Sequence, residues 1–198
     1  MTATIEASTL NETLPRKRFT KDEVHQLLDT GFFTGQRFEL INGDLIDKMG
    51  QKPSHACGIQ DVQAVLMETI PVRRLRNQLP FETEGADNSI NEPEPDLAVV
   101  AGNDQAPFRT RHPRGSDFAL VVEVSDTTLR NDLTTKRGLY ARSGVPQYWV
   151  LDLVGRQLIV HRNPNAGRYA EVLTLASDAT VDFEGATLLI AHMLPAAS

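Results

Sequence analysis

The chain has 198 residues, 40% hydrophobic and 23% charged, with a formal net charge of −6. That length suits one domain with a full-sized core, and the acidic balance argues against a protein that coats nucleic acid nonspecifically. A single cysteine, Cys57, excludes a disulfide framework and a cysteine-based zinc site, and no apolar run approaches the ~18 residues of a membrane span.

Residues 1–15 are polar and aperiodic, carry Glu6 and Glu12, and lack the apolar core of a secretory signal. The expectation is a disordered tail, a single domain over 16–198, no membrane contact and a cytoplasmic location. Thr20 and Glu23 form a capping box for a first helix, with Val24, Leu27 and Leu28 as its apolar stripe and Gly31 at its end. Residues 37–41 and 44–47 flank Asn42-Gly43, the strongest short-range hairpin signal. Glu39 alternates away from Phe38 and Leu40, so it either faces solvent or serves a site.

A second helix over 54–70 keeps helical spacing at Ile59, Val62, Leu66 and Ile70, with Ser54 as its N-cap. His55 opens it, a position where histidine more often packs or ends a helix than binds a ligand. Cys57 reads as a small core residue. Residues 72–84 read as a strand broken near Pro80. The run Asn91-Glu92-Pro93-Glu94-Pro95 is held extended before its prolines and delivers Asp96 to the next strand.

Two Val-rich runs, 94–100 and 117–124, read as strands buried on both faces, and each carries one carboxylate, Asp96 and Glu123. A buried carboxylate is costly unless a cation or a donor meets it. A divalent metal is one such partner. Between the runs lies a 102–115 loop with several arginines. A third helix over 129–143 is capped by Asp126-Thr127-Thr128 and stopped by Gly144. Leu129, Leu133, Lys136 and Tyr140 recur as a core-facing stripe, so Lys136 fills a slot that calls for an apolar residue. It either snorkels out or leans towards Glu123, with Asp132 four residues earlier to orient it. Strands follow at 147–152 and 157–161, with edge strands at 168–175 and 186–190. Trp149 reads as core, and His161 and His192 as structural or surface residues.

Nucleotide-binding glycine loops, a serine-hydrolase elbow and a paired-histidine metal motif are all missing from the sequence. Segment 109–142 holds seven bases and four acids, a net +3 against −9 for the remainder. It reads either as a basic wrapping around the carboxylates or as ordinary solvated surface. Two strand carboxylates bind Mg²⁺ or Mn²⁺ through oxygen and leave waters in place. A nearby ammonium holds the attacking water or offsets charge on a phosphate.

Pro95-Asp96 and Glu123-Val124-Ser125 resemble the two halves of the PD-(D/E)XK nuclease signature, with Ser125 where its lysine stands. Lys136 suits the relocated lysine of several branches. More closely, the chain resembles the Uma2 family of restriction-endonuclease-like proteins. The resemblance rests on 38–43, Pro95-Asp96, 123–128, Asp132, Lys136, Tyr140 and 144–149, with His55 at the head of the second helix. Gln147 departs from the family's usual glutamate. The resemblance implies an α/β protein with a mixed central sheet flanked by helices, and frequent homodimers. It also implies Mg²⁺- or Mn²⁺-dependent hydrolysis of DNA by Asp96, Glu123 and Lys136, with Asp96 and Glu123 on the metal and Glu39 as a further acidic site residue. Two other readings stand beside it: a non-catalytic binding or regulatory module on the same fold, and a phosphodiesterase for RNA or a small nucleotide.

Overall fold

The computed structural model describes residues 15–48, 50 and 52–196. The tail expected over 1–15 therefore lies, but for Pro15, outside the described residues. Helix α1 (Lys21–Asp29) has the expected capping box: the Glu23 N–H donates to Thr20 Oγ1 at 3.2 Å, and the Thr20 N–H to Glu23 Oε2 at 2.9 Å. Its apolar stripe is narrower than the spacing suggests, because Val24 is buried while Leu28 is exposed. Strands β1 (Phe38–Ile41) and β2 (Asp44–Asp47) form the antiparallel hairpin. Asn42 and Gly43 both take positive φ, +50° and +78°, as a tight hairpin turn requires.

Helix α2 (Pro53–Met67) starts at a proline and is capped by the Lys52 backbone, not by Ser54. The Ser54 hydroxyl instead donates to Asp126 Oδ2 at 3.0 Å. Gly58, Ile59, Val62, Val65 and Leu66 make the buried face. Cys57 precedes that face by one residue, a rotation of about 100°, and is exposed, contrary to its assignment to the core. The strand expected over 72–84 shrinks to β3 (Leu75–Asn77). A 3₁₀ turn, Val72–Arg74, precedes it, and Gln78 at φ +49° ends it.

Strands β4 (Leu97–Val100), β5 (Phe118–Ser125), β6 (Gln147–Asp152), β7 (Gln157–Asn165) and β8 (Arg168–Ala176) complete a six-stranded sheet in the order β3-β4-β5-β6-β7-β8. Only the β5–β6 pair is parallel. Parallel neighbours need a crossover, and helix α3 (129–142) supplies it. Strand β10 (Ala186–Leu189) is not an edge of that sheet. It pairs with β9 (Thr180–Phe183), a strand the sequence did not announce.

Side-chain alternation sorts the sheet into two faces. Leu97, Val99, Leu120, Val122, Trp149 and Leu151 pack towards α2 and the β9–β10 hairpin. Ala98, Val100, Val121, Tyr148 and Val150 pack towards α3. By the same alternation Asp96 and Glu123 belong to the α3 face. The fold is the mixed sheet flanked by helices that was expected. Among the described residues no helix is long and apolar enough to cross a membrane.

Candidate active site

The register of β4 on β5 brings the two acids together. Leu97 lies opposite Val122, so Asp96, one residue before, sits beside Glu123 at one end of the sheet. Val100 pairs with Phe118 at the other end, and that is where the 102–115 loop emerges. Arg111 and Arg114 therefore lie away from the acids, against Asp117 at 2.8 Å and Glu82 at 3.6 Å. Arg142 engages Asp87 at 2.6 Å. The basic segment does not wrap the carboxylates; of its charges, Lys136 alone is shown reaching them.

Helix α3 delivers that lysine through an irregularity. Residues Asp132–Lys136 form a π-helical turn between Leu129–Asn131 and Arg137–Arg142. Such wide turns re-aim side chains and recur at functional sites. The deeply buried stripe is consequently Asp132, Lys136 and Tyr140, while Leu129 and Leu133 are only half-buried. Lys136 is 4% exposed, with its Nζ 2.8 Å from Glu39 Oε1 and 2.9 Å from Glu123 Oε1. The snorkelling alternative is thus set aside.

Each acid is separately held. The Tyr140 hydroxyl donates to Glu123 Oε1 at 2.6 Å. Asp96 Oδ2 accepts the Val124 N–H at 2.9 Å and faces His55 Nε2 at 3.2 Å. Glu39 is buried rather than solvent-facing, and its Oε2 accepts the Glu94 N–H at 3.1 Å. Asp132 was expected to orient Lys136. Its Oδ2 instead takes the hydroxyls of Ser125 and Thr128, both at 2.6 Å. It acts on the ammonium through its charge alone. His55 and Tyr140 thus join the site more firmly than sequence reasoning placed them. Lys48, on the cavity wall, escaped it altogether. Its signal was parity: Ile46 pairs with Glu39, so Lys48, two residues on, shares the Glu39 face of the hairpin.

The electrostatics follow from crowding. Burial pushes the Glu123 carboxyl up to about 8; Lys136 opposes that shift, and Asp96 and Asp132 add to it. Burial also acts to raise Asp96, but the His55 hydrogen bond and the Lys48 and Lys136 charges prevail and hold it below the usual range. Burial acts to lower Lys136, yet Glu123, Glu39, Asp132 and Asp96 carry it well above the ordinary lysine value. Lys136 is therefore an ammonium throughout the working range. His55 is raised, chiefly by its hydrogen bond to Asp96.

Asp96 and Glu123 border one cavity of about 220 Å³. Among the described residues their hydrogen bonds fall on Asp96 Oδ2 and Glu123 Oε1, which leaves Oδ1 and Oε2 as donor atoms for a cation. Among the described residues no three or more His, Cys, Asp or Glu side chains form a ready-made cage. Two carboxylates plus waters suit Mg²⁺ or Mn²⁺, hard ions that keep much of their hydration, so the residues fit such a group.

Over residues 22–190 the sequence matches the model of the family described as "Uma2: putative restriction endonuclease". Among solved structures the chain is similar to a protein of Anabaena variabilis ATCC 29413 described as "a putative nuclease belonging to DUF820". The identity is 17% and the TM-score 0.60, over 88% of this chain and 97% of that one. At that identity the likeness speaks for the fold alone. No curated protein matches the sequence.

Proposed function

The chain belongs to the Uma2 family, and from that premise we propose that it is a Mg²⁺- or Mn²⁺-dependent endonuclease that hydrolyses the phosphodiester bonds of DNA. The observation that carries the reading is the Lys136 ammonium, held between Glu39 and Glu123 on the cavity that Asp96 also borders. A lysine is not buried among four acids for packing. Glu39 and Glu123 hold the ammonium by contact, Asp96 and Asp132 add their charge, and the lysine lines the cavity.

Asp96 Oδ1 and Glu123 Oε2 are the atoms that would hold the metal. The chemistry it would supply there is polarisation of the phosphate and a lowered pKa for a bound water. Lys136 has three N–H groups; Glu39 and Glu123 take two, and the third serves the attacking water or a non-bridging phosphate oxygen. Because Lys136 stays protonated, it donates and stabilises charge and does not remove the water's proton. Glu39 fixes the ammonium from the hairpin side. Tyr140 fixes Glu123, and the Val124 N–H with His55 fixes Asp96, so the carboxylates do not rotate as charge develops.

The test is relaxation of supercoiled plasmid in Mg²⁺ or Mn²⁺, paired with calorimetric Mn²⁺ titration. Wild type should bind and cut. Asp96→Asn should lose both. Lys136→Met should keep metal binding and lose about 10²–10³-fold in rate. A wild-type protein that binds no divalent metal and cuts nothing would establish the non-catalytic module instead.

A further inference from the structure

A polyanion does not enter this cavity unaided. Six carboxylates (Glu39, Asp47, Asp96, Glu123, Asp126, Asp132) border it against three lysines, Lys48, Lys52 and Lys136. A bound divalent ion offsets part of that excess. The lysines divide by what they already face. Lys136 is shared between two carboxylates at 2.8 and 2.9 Å. Lys52 lies 3.5 Å from Asp126. Lys48 is different: its Nζ donates at 2.5 Å to the backbone carbonyl of Glu94, a neutral acceptor. The Glu94 carboxylate is itself engaged by Arg37 at 3.3 Å.

The position of Lys48 is fixed by backbone geometry. Its N–H continues the β1–β2 ladder to the Arg37 carbonyl at 2.9 Å. Glu94 grips both hairpin side chains at once, its N–H on Glu39 and its carbonyl on Lys48. The residue is half-buried at the cavity edge, and its charge reaches inward far enough to help lower Asp96 and to oppose the rise of Glu123. It is a preset cation: among the described residues its shown contact is a neutral carbonyl, although its charge also acts on the Glu94 carboxylate.

We infer that Lys48 is a phosphate-binding residue that contacts the DNA backbone beside the bond to be cut, on the hairpin wall facing Lys136. The assignment rests on the nuclease reading of the same cavity. Lys48 supplies register rather than chemistry: one point charge placing the strand so that the scissile phosphate reaches the Asp96–Glu123 end of the sheet. An exchange to arginine keeps the contact, and an exchange to methionine removes it while keeping the stem.

The experiment is anisotropy of a fluorescein-labelled DNA duplex with the full chain in Ca²⁺, across a salt series, for wild type, Lys48→Met and Lys48→Arg. One lost phosphate contact lowers the slope of log K against log salt by about 0.9. Lys48→Met should show that drop, and Lys48→Arg should restore the wild-type slope. Circular dichroism melts of the same proteins separate binding from folding, since a purely structural lysine would move the melt and leave the slope alone. Wild type that binds while Lys48→Met keeps its slope overturns the Lys48 assignment only. Wild type that fails to bind the duplex overturns the nuclease reading and this one with it.

Discussion

Replacing Lys136 with methionine keeps the aliphatic stem and deletes the ammonium. In the wild type that ammonium lies within 3 Å of Glu39 and Glu123 and is 4% exposed, so its loss leaves two buried carboxyl groups without their contacting cation. Removing one member of a buried ion pair typically costs about 3–5 kcal/mol, because the other charge remains buried without compensation. The cost should depend on pH in a defined direction. Burial raises the Glu123 carboxyl to about 8 in the folded chain from an ordinary 4.5. Its contribution to stability is thus complete below the unfolded value and is lost as pH rises through 8. Without the ammonium the folded value climbs further, so Lys136→Met should suffer most above neutrality. Urea unfolding near pH 6 and near pH 9 should show a deficit that widens at the higher pH. A Glu123→Gln change in the same background should recover part of it. Equal stability of Lys136→Met and wild type near pH 9 would refute the claim that the ammonium is locked between the two carboxylates.

His161 offers an opposite titration. Burial holds its imidazole down to about 4, and its Nδ1–H donates to the Tyr148 carbonyl at 3.2 Å. Stability from this neutral ring is present above the unfolded value of 6.5 and is lost as pH falls towards 4, by roughly 2–4 kcal/mol in all. His161→Phe should flatten the acid limb of a stability–pH curve, and an unchanged limb would show that other groups drive it. At Gly115 an added Cβ would lie 2.1 Å from the Ser143 carbonyl oxygen. Gly115→Ala should therefore cost about 3 kcal/mol. Gly138→Ala, on helix α3 with only the tip of Arg142 nearby, should stabilise by up to about 1 kcal/mol in the same melts.

The catalytic candidates were legible because each broke a local pattern. Asp96 and Glu123 interrupt Val-rich runs, and Lys136 breaks an apolar helical stripe. Glu39 was ambiguous, since alternation states which side a residue faces but not whether that side is water. Only the docking of the hairpin on 90–92, through Leu40 and Glu92, decides it. Register likewise decided the arginines of the 102–115 loop, which charge counting left open between wrapping the acids and ordinary solvated surface. The wide turn in α3 has no sequence signature. The β9–β10 hairpin went half unseen because Thr180–Phe183 carries Asp182, a poor strand former, at its centre. The 72–84 stretch erred the other way, since Arg74 is spent on the Val100 carbonyl at 2.8 Å and on Glu184 at 2.6 Å.

The lone parallel pairing in the sheet has a bearing on assembly. Strand β6 can take its place beside β5 only after the chain has crossed over, and the crossing segment is the one that carries Lys136. A nascent chain that has emerged as far as Ser125 holds Glu39, Asp96 and Glu123 but not the ammonium. Until β6 anchors the far end of α3, nothing fixes Lys136 over those acids. The cluster that Lys136 completes is consequently among the last features to mature. Asp96 can meet His55 early, but Glu39 and Glu123 lack their shared ammonium until the chain that carries Lys136 has been made.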